Sequence, residues 1–221
     1  MRIDVLTLFP DMFKGVLEES ILKRAIEEGK VTINLVNFRE FTTLAHGQVD
    51  DTPFGGGAGM VLMCDPIVRA LESLDYKNAH VVLLTPQGKP YNEEVAISYK
   101  KYDHLILICG HYEGFDERIL NFVDEEVSLG DFVLTGGEIP AMAIIDSVTR
   151  LLPGVITDES IVDESFNDNL LDYSTYTKPR DYRGYLVPDV LLSGNHKLIN
   201  EWRKESRISN TKKKRPDLLD K

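Results

Sequence analysis

The stretch LILICGHYEGFDER, residues 105–118, decides how the chain is read. Its first five residues form a short unbroken apolar run, the pattern of a strand covered on both faces in a parallel sheet. The run ends abruptly at Gly110-His111-Tyr112-Glu113-Gly114. That places two glycines and three polar residues at the carboxyl end of a buried strand, where open α/β sheets hold ligands. Glycine there lets a ligand approach the backbone closely. A metal site is a poor reading, because His111 and Glu113 stand two apart with no second histidine nearby. A catalytic carboxylate pair is weakened by Asp116, Glu117 and Arg118, which read as the polar first turn of the next helix, its acids near the positive end. Glu113 precedes the second glycine and projects from the loop itself. A backbone cradle is the reading favoured.

Outward from this stretch, strand and helix patterns alternate. RIDVLTLF and VTINLVNF read as strands around a helical stretch opened by Pro10 and Asp11, with Gly29 as its stop. Asp65 is expected to cap a helix that has Pro66 in its first turn and runs to about Leu74. HVVLLT repeats the buried-strand pattern, NEEVAISYKKY is helix-like, and VSLGDFVLT leads to a long helix, EIPAMAIIDSVTRLL. Alternation of this kind predicts an α/β domain over residues 1–155. From 156 to 175 the sequence is acidic and aperiodic, as in a functional loop or flexible linker. Residues 176–221 hold an amphipathic helix, SGNHKLINEWRKES, and read as a small basic helical domain.

Composition sets limits on function. A hydrophobic share of 43% with 28% charged residues fits a globular chain, not a disordered one. No apolar run approaches the roughly 18–20 residues that span a bilayer, so no membrane partner is expected. MRIDVLTLFPDMF carries an acid at its fourth position and no small-residue cleavage site, so no signal peptide is expected either. Cys64 and Cys109 lack metal-ligand spacing and read as buried thiols of a cytoplasmic protein. The net charge of −11 is unevenly spread. Residues 1–172 hold 13 Lys/Arg against 30 Asp/Glu, a balance of −17, whereas residues 173–221 hold 12 against 6, a balance of +6. A basic C-terminal fifth on an acidic body suits a phosphate-bearing partner, although NTKKKRPDLLDK alone reads as a solvated, loosely ordered tail.

Three further stretches are candidate sites. LLTPQGKPYNEE, 83–94, again lies past a buried strand, though taken alone it is better read as a plain strand-to-helix turn. In SLGDFVLTGGEIPAM, 128–142, glycines surround an apolar segment before a helix N-terminus, a place where an adenine ring can lie against aliphatic side chains. DDTPFGGGAGM, 50–60, reads equally as a ligand-hugging loop and as a flexible connection. No G-x-G-x-x-G follows the first strand and no Walker A sequence occurs, so a dinucleotide-dependent oxidoreductase and the common Rossmann-type methyltransferase are poor matches.

Taken in order, VDDTPFGGGAGMV, LLTPQGKP, LICGHYEGFDERI, SLGDFVLTGGEIPAMAIIDSVTRLLPGV, ESFNDNLLDYSTYTKP, VPDVLLSGNHKLINEWR and KKKRPDLL resemble the bacterial tRNA (guanine-N1)-methyltransferase family across essentially the whole chain. The resemblance implies a SPOUT-type parallel sheet with a C-terminal trefoil knot that holds S-adenosylmethionine bent, followed by a small helical C-terminal domain that helps grip tRNA. It implies an obligate homodimer with each site at the subunit interface, and methylation of the guanosine immediately 3′ of the anticodon. Carried over by motif, cofactor contacts fall on Leu84, Thr85 and Pro86, then on Gly110, Tyr112 and Glu113. The third loop contributes Ser128, Leu129, Gly130, Asp131, Phe132, Val133 and Leu134, with Gly136 and Gly137. Phe132 stands where the family often has Tyr, which removes a hydroxyl and keeps the ring.

Arg150 matches the family's catalytic arginine, and Glu113 keeps a place near the chemistry. The family's general base is an Asp directly before Ser-Phe; here that position is Glu164, with Asp163 before it. Glu164 is the favoured base and Asp163 the alternative. Guanine N1 carries a proton at neutral pH and becomes nucleophilic only when a base removes it. Arg150 is then placed to stabilise charge gathering on O6. Magnesium is associated with the family, but no protein ligand set for Mg2+ is legible. The rival reading of a different class is a catalytically silent RNA-binding relative.

Overall fold

Four apolar runs build the centre of the molecule because each is rich in aliphatic and β-branched residues and too short for a stable helix. The computed structural model describes residues 1–157 and 164–220. Contacts divide the chain into two units, Met1–Ile156 and Thr157–Lys221. Among the described residues, no helix is long and apolar enough to cross a membrane.

In the first unit the strands are β1 (Arg2–Thr7), β2 (Thr32–Asn37), the short antiparallel pair β3 (Asp50–Asp51) and β4 (Val61–Leu62), then β5 (His80–Pro90), β6 (His104–Cys109) and β7 (Glu125–Ser128). The helices are α1 (Lys14–Leu17), α2 (Ser20–Glu27), α3 (Cys64–Glu72), α4 (Glu93–Tyr99) and α5 (Glu138–Thr149). Five strands form one all-parallel sheet in the order β2-β1-β6-β5-β7. Ile3 lies beside Leu105 and Val81 beside Ile106, so the most apolar strands occupy the middle. Alternate residues face opposite layers. Leu6, Val81, Leu83, Ile106 and Ile108 join the core beneath α3, with Ile67, Ala70 and Leu71 from the helix. On the opposite side α5 packs on β1 and β6, burying Ala141, Ile144, Ile145 and Val148.

Local readings were adjusted by tertiary structure at four places. The helix expected after Pro10 is split into a 3-10 turn, α1 and α2, with Ser20 at φ 56 marking the break. Asp65 does not cap α3; the helix begins one residue earlier, and Asp65 instead pairs with Arg69 one turn on at 2.8 Å. DERILNFV forms a 3-10 helix, Glu117–Phe122, capped by Asp116, whose side chain accepts from the Arg118 amide. The adjoining Arg118 guanidinium holds the Asp116 carboxyl below its ordinary range. The strand beginning HVVLLT does not stop at its apolar end. Pairing with β7 lapses after Leu84 and resumes at Lys89 and Pro90, so Thr85-Pro86-Gln87-Gly88 is a bulge within a longer strand.

The second unit contains a hairpin of β8 (Asp181–Tyr182) and β9 (Tyr185–Leu186), then α6 (Asp189–Leu192) and α7 (His196–Lys214). Asn195 caps α7 by accepting from the Leu198 amide. The helix runs through Lys212, Lys213 and Lys214, so most of the basic run is its last turn, where cations offset the helix dipole. Residues 171–176 lie along α7. The Leu171 amide donates to Thr211 Oγ1 at 2.8 Å, the Ser174 amide donates to Ser206 Oγ at 3.0 Å, and Asn210 donates to the Asp172 carbonyl at 2.9 Å. The Arg203 guanidinium lies 4.8 Å from the Tyr173 ring centre, and Tyr176 packs at a tilt to Trp202.

Candidate functional site

A bulge within β5 and the loops that leave the carboxyl ends of β6 and β7 lie side by side, because those strands are parallel neighbours with β5 in the middle of the three. Between the loops lies a cleft of about 290 Å³, near the lower end of small-molecule sites, roughly 300–1,000 Å³. The β5 bulge lends Leu84, Thr85, Pro86 and Gln87; the β6 loop lends residues 110–115; the β7 loop lends 126–129 and 132–137.

The glycines here make room mostly for the protein itself. A Cβ on Gly88 would lie 2.3 Å from the Val127 amide nitrogen, so the bulge crosses the β7 backbone at a separation only glycine permits. One on Gly110 would meet the Phe115 ring at 2.5 Å, and one on Gly137 would meet Cys109 Cα at 2.6 Å. Gly137 also donates its amide to the Gly110 carbonyl at 2.9 Å, tying the third loop to the second. Tyr112 adopts φ 60, an uncommon left-handed conformation for a non-glycine residue. The glycine-rich stretch reaches the same place: the Glu113 amide donates to the Met60 carbonyl at 3.0 Å, and a Cβ on Gly59 would strike the Glu113 side chain.

Under the floor lies a buried carboxylate. Glu138 is 1% exposed. Its Oε1 accepts from the Thr7 hydroxyl at 2.6 Å, and its Oε2 lies 2.7 Å from His111 Nε2. Thr7 in turn accepts from the Phe9 amide at 2.9 Å, and the Phe9 ring meets His111 edge-on at 4.7 Å. This chain links the ends of β1 and β6 to the first turn of α5. A Cβ on Gly136 would sit 2.4 Å from His111 and 2.5 Å from Glu138 Oε2, so the Gly136-Gly137 pair clears space for this link and for the backbone crossing. Burial, and secondarily the Glu138 charge, pushes the Cys109 thiol well above its ordinary range. It stays protonated and is no nucleophile.

The electrostatics of the walls are one-sided. Glu113, Glu117 and Glu126 line the cleft, and among the described residues no Lys or Arg does. Such a cleft favours a cation and repels phosphates. Of the residues expected at a cofactor, Leu84, Thr85, Pro86, Gly110, Tyr112, Glu113, Ser128, Leu129, Phe132, Val133, Leu134, Gly136 and Gly137 all line it. Gly130 and Asp131 do not. Gly130 instead lies under the Phe132 ring, and its carbonyl accepts from the Phe132 amide at 2.8 Å. Arg150 is the C-terminal cap of α5, at the far end from Gly137. The described part of the linker includes Glu164, whereas Asp163 lies outside the described residues. Among the described residues, no group of three or more His, Cys, Asp or Glu gathers as a metal site.

Sequence reasoning missed Gln87, His111, Glu117, Glu126 and Glu138. Glu117 and Glu138 were legible only as acids in a helix's first turn, and His111 only as a failed metal ligand.

A family model described as tRNA (guanine-1)-methyltransferase TrmD matches residues 1–221. A protein of Malacoplasma penetrans is 58% identical over 219 residues, covering 99% of this chain and 97% of its own length. One of Carboxydothermus hydrogenoformans is 56% identical over 221 residues, covering 99% and 87%, and one of Staphylococcus aureus strain MRSA252 is 54% identical over 224 residues, covering 100% and 91%. All three are named tRNA (guanine-N(1)-)-methyltransferase. With its whole length matched at such identities, the chain belongs to the TrmD family of tRNA (guanine-1)-methyltransferases.

Proposed function

We propose that this chain transfers a methyl group from S-adenosylmethionine to N1 of the guanosine immediately 3′ of the anticodon in tRNA. The observation that carries the cofactor assignment is the cleft itself: three glutamates, no Lys or Arg among the described residues, and backbone crossings that only glycine permits. These walls suit a ligand whose adenine ring has apolar faces and whose sulfonium is positive, and they oppose a pyrophosphate-bearing dinucleotide. When bound, S-adenosylmethionine would supply an activated methyl group on a sulfonium, whose departing thioether needs no acid.

The protein's own part is to orient the base and to move one proton. Leu84, Leu129 and Leu134 give apolar walls, and Ser128 Oγ donates to the Gly130 carbonyl at 3.0 Å, setting the turn that starts the third loop. Glu164 takes the proton from guanine N1, with Asp163 as the alternative base, and Arg150 stabilises the charge on O6. Glu113, which lines the cleft, stays close to the reacting groups. Gly137 and Arg150 cap the two ends of the 12-residue α5, thirteen steps along the helix or about 20 Å. One subunit's Arg150 is therefore remote from its own cleft, which supports a homodimer with each site completed by the neighbouring subunit. In this reading Glu164 comes from that neighbour's linker.

The tight passages of Gly88 over β7 and of Gly137 against Cys109 support a SPOUT-type trefoil knot in this part of the chain. Residues 176–221 act as the small basic tRNA-gripping domain, 156–175 as the linker carrying the base, and the enzyme works in the cytoplasm. Among the described residues no acidic cluster fits Mg2+, and no step is assigned to it.

Incubating the protein with methyl-labelled cofactor and an unmodified tRNA transcript tests the proposal. Label on N1 of that guanosine is expected; unlabelled tRNA favours the silent RNA-binding relative. Glu164→Ala should abolish transfer and Asp163→Ala should leave most of it, while full activity in Glu164→Ala refutes the choice of base.

A further inference from the structure

The hairpin of β8 and β9 presents apolar surface that the second unit does not bury. Asp181 pairs with Leu186, and Tyr182 pairs with Tyr185. Directly paired residues on antiparallel strands project from one face, with Cβ atoms about 5 Å apart. Tyr182 is 58% exposed, Tyr185 81% and Leu186 64%. Rigidity comes from the turn. Arg183 and Gly184 both have positive φ, 56 and 87, as a two-residue type I′ turn demands. The Gly184 amide donates to Asp181 Oδ1 at 2.7 Å, and the Val187 amide extends the ladder by donating to the Arg180 carbonyl at 3.0 Å. At the tip the Arg183 guanidinium lies 5.4 Å from the Tyr182 ring centre, covering that ring.

We infer that this hairpin is a stacking platform for an unpaired base of the tRNA substrate. Tyr185 supplies the open ring, and Arg183, held over Tyr182, supplies a donor to the adjoining phosphate. Single-stranded RNA loops are recognised by bases splayed onto aromatic rings and guanidinium planes, a chemistry this pair of rings with one cation reproduces. Charge selects RNA over a protein partner: residues 173–221 carry 12 Lys/Arg against 6 Asp/Glu, while the cores of protein interfaces are depleted of charge. The inference rests on tRNA being the substrate and adds a specific contact to that reading.

The test uses the full-length protein and an unmodified tRNA transcript, with binding measured over a series of salt concentrations. Tyr185→Ala should raise the Kd for tRNA about tenfold and leave the salt slope unchanged, because no ionic contact is lost. Tyr185→Phe and Tyr185→Trp should restore affinity and Tyr185→Leu should not. Arg183→Ala should lower the salt slope by about one. Cofactor affinity and sedimentation should match wild type in every variant. An unchanged Kd in Tyr185→Ala overturns the inference. So does full rescue by Leu, which would indicate a general apolar contact, or dissociation of the oligomer, which would make this face an interface between copies. Failure of the wild type to label tRNA would refute the proposed function separately.

Discussion

Glu138 offers the sharpest test of how the cleft is held together. It is 1% exposed and accepts from Thr7 at 2.6 Å, with His111 Nε2 at 2.7 Å. A hydrogen bond to a charged group is worth about 1.5–3 kcal/mol net. Glu138→Ala removes both and strands the His111 ring nitrogen, for an expected loss of about 3–5 kcal/mol. Against a total stability of about 5–15 kcal/mol this is a large fraction. For a loss near 4 kcal/mol, the first unit should melt roughly 8–16 °C lower. Glu138→Gln keeps the volume and one acceptor, and the Thr7 hydroxyl can rotate to receive the new amide, so it should cost about 1–2 kcal/mol. The readout must report on the right unit. The sole tryptophan, Trp202, lies in α7, so its fluorescence follows the second unit. Far-UV circular dichroism, joined to hydrogen exchange at the Gly137 amide, follows the first. A double-mutant cycle with His111→Ala should give a coupling of at least about 1 kcal/mol. Melting of Glu138→Ala within about 2 °C of wild type, or a coupling near zero, refutes the claim that this buried carboxylate ties the loops.

Two further outcomes follow from the same geometry. Gly88→Ala places a Cβ 2.3 Å from the Val127 amide nitrogen and 2.4 Å from the Glu126 carbonyl carbon, and neither backbone has room to yield. Cofactor affinity by calorimetry should fall at least about tenfold, and unchanged affinity would mean the crossing is looser than it stands here. Tyr91 has its phenol pushed up to about 12, chiefly by burial; the hydrogen bond to Ser147 lowers it, and Glu93 raises it a little. Its stabilising contribution is therefore complete below its ordinary value of 10 and is lost as pH rises towards about 12. Tyr99, raised by burial and by Glu125, acts in the same sense. Tyr91→Phe should flatten the decline of stability over that interval, measured by denaturant melts at each pH; an unaltered slope would refute the assignment.

The strands and the order of the loops were legible because they depend on local pattern. LILIC and VVLL announce buried strands, and glycines past their ends announce loops that approach something closely. What they approach was not legible. Gly136 and Gly137 were expected as cofactor contacts and do line the cleft, but their added Cβ atoms would also strike His111, Glu138 and Cys109. The reason lies in pairs far apart in sequence: Thr7 and Glu138 are 131 residues apart, and His111 and Glu138 are 27 apart. No window of sequence contains such a pair. The break at Ser20 was hidden for a similar reason, since the apolar spacing continues across it without Gly or Pro. KKKR misled in the opposite direction: a charge run has the composition of a loose tail, but Thr211 Oγ1, buried against the Leu171 amide, anchors the helix into it.

Under the proposed function, charge distribution divides the work between two parts of the chain. The cleft of the first unit presents Glu113, Glu117 and Glu126, and residues 1–156 hold 13 Lys/Arg against 24 Asp/Glu, a balance of −11. Such a body repels a polyanion at long range while favouring a cation at short range. Under the proposed function, attraction for RNA phosphates therefore falls to α7, which holds seven Lys/Arg against two Asp/Glu. The same acidic walls that suit a sulfonium would bind RNA poorly on their own, so one surface cannot serve both ligands. In this proposed division a basic stretch, residues 173–221, following an acidic unit resolves the conflict, because each ligand then meets the sign of charge it requires. On this argument, neutralising Lys212–Lys214 weakens RNA binding with little effect on the cofactor, whereas neutralising Glu117 and Glu126 does the reverse.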